Sequence, residues 1–304
     1  MIRLYILILI IIVILILLYI YLTSGNQGAS SNQGSSSNQF LKQEFPLNLL
    51  DLYESRLYNY KFNRNSCFIH SSLQLLRTFF SLLVIDNITF NKPYINTLLK
   101  FNAFDNRKQY FPYIKQNYAK STDKNGKETI WNYMNPDQQH DVGDFLSEIF
   151  INIIDNNIIQ NNNIISYDTE MKDIFIKLGV DVEDKKVEYL QHQLENKKVE
   201  YNEYMIIHLQ GNHMSNFTFT DVTNDIVINN GTYSPYSIVQ YVGNGYGGHY
   251  VNYSKKPNTQ DLKGQWSWYK YDDVNQQDAY IPDSLTDKGI TKNPVVILYK
   301  RIKK

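Results

Sequence analysis

The sequence predicts an α+β fold, and three observations carry that expectation. Apolar residues recur at helical spacing in the first half of the chain. The second half breaks into short β-branched and aromatic runs separated by Gly, Asn and Pro. At 304 residues there is enough chain to bury a sizeable core. Helices first and antiparallel strands later is the order expected of an α+β domain.

Two segments precede that domain. Residues 4–22 read "LYILILIIIVILILLYIYL", an uninterrupted apolar and aromatic stretch. As a helix rising about 1.5 Å per residue it spans roughly 28 Å, close to the hydrocarbon thickness of a bilayer. Tyr5, Tyr19 and Tyr21 lie near its ends, where amphipathic rings favour the membrane interface. A secretory leader has a shorter apolar region and a small-residue cleavage site, so residues 1–22 read as a retained single-pass transmembrane anchor. Residues 23–39, "TSGNQGASSNQGSSSNQ", have no apolar face and read as a flexible linker with a reach near ~23 Å. The folded domain is expected over residues 40–304.

Within that domain, Asn65 or Ser66 can cap a helix whose apolar face is Ile69, Leu73, Leu76 and Phe80. "DVGDFLSEIFINII" from Asp141 repeats the pattern, and residues 168–198 read loosely as helix. "EYMIIHLQ", "FTFTDV", "YSIVQYV", "HYVNYS", "WSWYKYDD" and "NPVVILYKR" read as strands.

Composition narrows the function. Thirty basic residues balance thirty acidic ones, which gives no excess of positive charge for a nucleic-acid partner. Cys67 is the single cysteine, so no internal disulfide forms and no zinc knuckle of paired cysteines exists. No metal and no cofactor is expected. "GNGYGG" matches a dinucleotide-binding spacing at Gly243, Gly245 and Gly248, but it does not open a helix after a parallel strand, so the nucleotide reading fails on context.

Three segments carry candidate chemistry. Cys67 begins a helix, where free backbone N–H groups and the helix dipole favour a thiolate. His249 follows a glycine-rich turn that lets substrate backbone approach, and an imidazole there can act as general base toward a thiol. Asp272 and Asp273 end the next strand, from which a carboxylate can orient that imidazole. His70, His140, His192, His208 and His213 read as structural or solvated.

These segments resemble the ubiquitin-specific proteases. "NSCFIHSSLQLL" is similar to that family's cysteine box, G-N-T-C-Y-x-N-S-x-L-Q-x-L, and "QQHDVGDFL" to its Q-Q-D-A-x-E-F-L segment. "EYMIIHLQ" resembles its L-x-I-x-L-K-R-F strand. "GGHYVNYSK" with "WYKYDD" looks like its histidine box, and "NPVVILYKR" like its closing strand. The resemblance runs in the family's order from about Asn63 to Arg301. It implies a papain-like cysteine peptidase with a helical thumb, an antiparallel β palm and short, metal-free fingers. It implies a thiol-dependent deubiquitinase that cleaves after the C-terminal glycine of ubiquitin, with Cys67 as nucleophile, His249 as base and Asp272 as its orienting group. Asn63 would support the oxyanion. It stands one residue out of step with the family's asparagine, whose position is Phe62 here. Gln138, Gln139, Asp141, Gly248 and Tyr250 would bind the substrate's tail, Asp141 by facing its arginines. Ubiquitin or ubiquitinated proteins would be the partners, and the membrane would be reached through the N-terminal helix.

Two alternatives remain at this point: a catalytically weak or inactive ubiquitin-binding module, and a protease for a ubiquitin-like modifier. The catalytic domain is expected on the cytosolic side, where ubiquitin and reduced thiols are found. Sequons at Asn87, Asn216, Asn230 and Asn252 allow that side to be tested.

Overall fold

Alternate side chains along the central strands are buried on both faces of one sheet, and this organises the rest of the computed structural model. The structure describes residues 66–91, 95, 98, 99, 138–160, 162–179, 187–210, 222–243, 248–257, 264–274 and 293–303. The expected anchor (1–22), the linker (23–39), Asn63 and most of the "FTFTDV" strand lie outside the described residues. All the described residues belong to a unit spanning Phe45–Lys304.

Helix α1 runs Cys67–Ile85 and helix α2 runs Val142–Asp155. Strands β1 (Tyr167–Asp168) and β2 (Phe175–Gly179) follow, then helix α3 (Val187–Glu195). Next come β3 (Val199–Glu200), β4 (Tyr204–Gln210), β5 (Ile226–Ile228) and β6 (Gly231–Gly243). β7 (Gly248–Pro257), β8 (Trp266–Tyr271) and β9 (Pro294–Lys303) complete the order. The main sheet is ordered β2-β4-β9-β6-β7-β8, with β5 added on β6, and β1 pairs with β3 separately.

Period-two alternation explains the packing. Tyr204, Ile206, Val296 and Leu298 join the core shared with α1 and α2, while Met205, Ile207, Ile297 and Tyr299 join a second core that includes Leu190 and Leu194 of α3. An extra residue in β6 between Pro235 and Ser237 shifts its register against β9. That bulge reverses the parity, so Tyr233 and Ile238 both reach the α3 side.

The sheet differs from expectation at one edge. β2 pairs parallel with β4, whereas its other described pairings are antiparallel. Among the described residues of 168–198, helix runs only over Val187–Glu195, and Phe175, Ile176 and Leu178 are taken into the sheet beside β4. Ser66 occupies the cap position of α1 but makes no side-chain cap bond.

Helix α1 is long and apolar enough to cross a bilayer by length and composition, yet 83% of its most apolar stretch is buried within the protein. It packs against α2, β6 and β7. Phe68 at its start meets Phe145 and His140 edge-on, at 5.5 Å between ring centroids in each case. Asn252, in the middle of β7, is fully buried and donates to the hydroxyl of Ser237, so this sequon cannot carry a glycan in the folded domain.

Asp141 caps α2 by accepting from the Gly143 and Asp144 N–H groups at 2.7 and 3.1 Å, a cap worth about 1 kcal/mol. Gly143 lets the helix start pass close to the buried ring of His208: a Cβ there would lie 2.3 Å from His208 Cε1. Gly143→Ala should therefore destabilise the domain by on the order of 1–2 kcal/mol, the overpacking cost exceeding the gain in helix propensity. Denaturant midpoints of the two proteins check this.

Candidate functional site

The site forms where the N-terminus of α1 meets the start of β7 and the end of β8. α1 lies across β7, which brings Cys67, its first residue, to the strand that opens with Gly248 and His249. β7 and β8 are antiparallel, with Asn252 opposite Tyr271, so the chain leaving β8 passes beside the beginning of β7. Asp272 and Asp273 lie at that exit.

His249 Nε2 is 2.9 Å from Asp272 Oδ1. Asp272 is itself held: its Oδ1 accepts from the Val274 N–H at 3.2 Å and its Oδ2 lies 3.3 Å from Lys270 Nζ. The thiol of Cys67 is a further hydrogen-bond partner of the His249 ring. Burial pushes His249 down from its ordinary 6.5. The hydrogen bonds to Asp272 and Cys67, with the charges of Cys67 and Asp273, outweigh this and raise it to about 10. The resting site therefore holds an imidazolium beside the Cys67 sulfur, with a proton ready for a leaving group.

A second carboxylate enters the site. Asp273 Oδ1 lies 3.4 Å from His249 Nε2, and Asp273 Oδ2 pairs with Nδ1 of His70. Burial holds His70 below its ordinary value despite that carboxylate, so His70 is neutral and donates its Nδ1–H. The sequence reads His70 as structural or solvated, and of the two adjacent aspartates it singles out only Asp272 to orient His249. The available signal was spacing: His70 is one helical turn after Cys67, and Asp273 is adjacent to Asp272.

Gln139 is exposed just before α2. Its amide nitrogen donates to the Gly248 carbonyl at 3.1 Å and lies 3.7 Å from Cys67 Sγ. Gln138 is exposed at the preceding position. Gly248 faces Gly243 across the β6–β7 pair, and any Cβ on it would strike the ring of Tyr241, 2.1 Å from its Cζ. Tyr250 is buried, stacks obliquely on Tyr241 with centroids 5.2 Å apart, and donates to Asp141 Oδ2 at 3.4 Å. Asp141 Oδ1 also lies 3.7 Å from His208 Nε2. The Asp141 carboxylate is thus occupied first by the helix cap, Tyr250 and His208, and its side chain remains one-third exposed (33%).

The structure brings Cys67, His249, Asp272, Gln139, Gly248, Tyr250 and Asp141 into one neighbourhood, with Gln138 at its edge. Ligand atoms of His249, Asp272 and Asp273 lie within 4.8 Å of one another, a spacing that suits a cation. The imidazolium charge of His249 opposes one there.

No family model matches the sequence, and no curated protein matches it. Solved structures do. The chain is similar to the SAGA deubiquitinase module Ubp8/Sgf11/Sus1/Sgf73 bound to monoubiquitin, with a TM-score of 0.52 and 13% identity over 88% of this chain and 73% of that one. A further structure of that module matches with a TM-score of 0.51 and 14% identity, over 83% of this chain and 69% of the other. The chain therefore shares the mixed α/β fold of that module. Activity is a matter of the site rather than of that fold.

Because the folded His249 sits at about 10 against an ordinary 6.5, its imidazolium stabilises the domain fully below about pH 6.5. That contribution fades as pH rises through about 10. Ring NMR should show His249 titrating near pH 10, and moving toward neutrality in Cys67→Ala, which removes one hydrogen bond and one charge.

Proposed function

We propose that this protein is a membrane-anchored, thiol-dependent deubiquitinase. The observation that carries the reading is the hydrogen-bonded run Cys67–His249–Asp272, assembled from three separate segments on a deubiquitinase-type fold. The helical part holding α1 and α2 corresponds to the thumb and the main sheet to the palm. Residues 40–304 make up the catalytic domain.

Cys67 Sγ attacks the carbonyl carbon of the C-terminal glycine of ubiquitin. His249 gives its proton to the departing lysine amine, leaving a thioester on Cys67. Water then attacks the thioester, His249 takes up its proton, and the ubiquitin carboxylate leaves. Asp272 keeps the ring aligned through both steps and stabilises its charge. Asp273, anchored by His70, adds a second negative charge beside the same nitrogen. The substrate's glycine tail would pass Gly248 and Gln139 on its way to Cys67, where two residues without side chains can come close to the backbone. Asp141, with Asp144 exposed a turn into α2, sets negative charge near that approach for the arginines of the tail. The alternatives, a ubiquitin-binding module without catalysis and a protease for another modifier, are outcomes of the same test.

The full-length protein should be labelled by a ubiquitin probe bearing a C-terminal electrophile, and Cys67→Ala should abolish labelling while ubiquitin binding persists. Binding without labelling in the wild type would make it a non-catalytic module. Preferential labelling by a ubiquitin-like probe would change the modifier.

The apolar residues 4–22 support a single-pass anchor, with residues 23–39 as its tether and the catalytic domain in the cytosol. The protein should fractionate with membranes and resist alkaline carbonate extraction. Deleting residues 1–22 should release it, and glycosidase should leave its mass unchanged. A glycosidase-sensitive mass would place the domain on the opposite side.

A further inference from the structure

We infer that Gln139 is a catalytic residue of this site, supplying a side-chain donor for the oxyanion. The inference rests on the thiol-protease reading above. Acyl transfer to Cys67 turns the glycine carbonyl oxygen into an oxyanion beside the sulfur, and that charge needs donors at about 2.7–3.1 Å. The asparagine expected to provide one, Asn63, stands one residue out of step with the family's position.

Gln139 has the geometry for the task. Its amide nitrogen carries two hydrogens. One is committed to the Gly248 carbonyl at 3.1 Å, which fixes the plane of the amide and turns its own carbonyl oxygen away from that acceptor. The nitrogen lies 3.7 Å from Cys67 Sγ, so the second hydrogen is available beside the sulfur. As the C–S bond forms, the new oxyanion arises next to the sulfur, and the hydrogen now serving sulfur passes to the oxygen, which is the stronger acceptor. No proton changes owner in this step.

A partner donor comes from the backbone. The first helical bonds of α1 run from Ile69 N–H and His70 N–H to the Ser66 carbonyl. The N–H of Cys67 precedes them, among the groups that a helix start leaves open. Cys67 N–H and the Gln139 amide then bracket the oxyanion from two elements. Gln139 is held in place because Asp141, two residues later, caps α2.

The test compares full-length wild type, Gln139→Leu and Gln139→Ala in three measurements. Hydrolysis of a ubiquitin C-terminal fluorogenic amide should lose about 10²–10³ in kcat, with KM changed by less than about 3-fold. Affinity for ubiquitin aldehyde, whose thiohemiacetal carries the same oxygen, should fall by a similar factor. The rate of Cys67 alkylation by iodoacetamide, which forms no oxyanion, should change by less than about 3-fold, since only the long 3.7 Å contact to sulfur is lost, and this also certifies folding. An unchanged kcat overturns the assignment. A fall in alkylation that parallels the fall in kcat also overturns it, by making Gln139 a support for the thiol. Wild-type protein that alkylates normally yet neither hydrolyses the amide nor binds the aldehyde overturns the protease reading itself, and the assignment with it.

Discussion

The burial of α1 against the sheet is the constraint on which everything else depends. Phe68, Ile69, Leu73, Leu76, Phe79, Phe80 and Leu83 are all fully buried, so the helix cannot slide or rotate along β6 and β7 without opening a cavity. At about 0.8 kcal/mol per buried methylene, such a face fixes its position far more firmly than any single polar contact. The geometry of the candidate site is inherited from that packing: Cys67 is the first residue of the helix, so the position of the helix is the position of the thiol.

Charge is organised around this point at close quarters. Two carboxylates, two imidazoles and one thiol meet at the rim of the core, and burying like charges together is costly unless each is matched. The matching is uneven. His70 is buried deeply enough to stay neutral and serves as a donor to Asp273. His249 is less buried and faces both carboxylates as well as the thiol, so it is the ring that holds the proton. The same residue type does opposite work in two places because the balance of burial and neighbouring charge differs.

The start of α2 is equally dependent on its surroundings. Asp141 closes the first turn of the helix, receives the hydroxyl of Tyr250, and faces His208 packed against Gly143. That arrangement ties α2 to β4 and β7 just beside the approach to Cys67. A carboxylate read from the sequence as a ligand for a cationic tail is first of all a structural cap, and only its exposed edge is available to a partner.

Much of this was legible from the sequence alone. The apolar spacing after Ser66 and after Asp141 determined two amphipathic helices, and the β-branched runs near Met205, Val239, Val251 and Val296 determined strands, because those periodicities are local. Resemblance in motif order singled out Cys67, His249, Asp272 and Gln139. The tertiary structure alone decided which atoms meet. The parallel edge at β2, the bulge in β6, the His70–Asp273 pair and the placement of the Gln139 amide between Gly248 and Cys67 depend on contacts between segments far apart in the chain. Sequence periodicity records which face of an element is buried. It does not record which partner buries it, and at this site the partner sets both the charge and the chemistry.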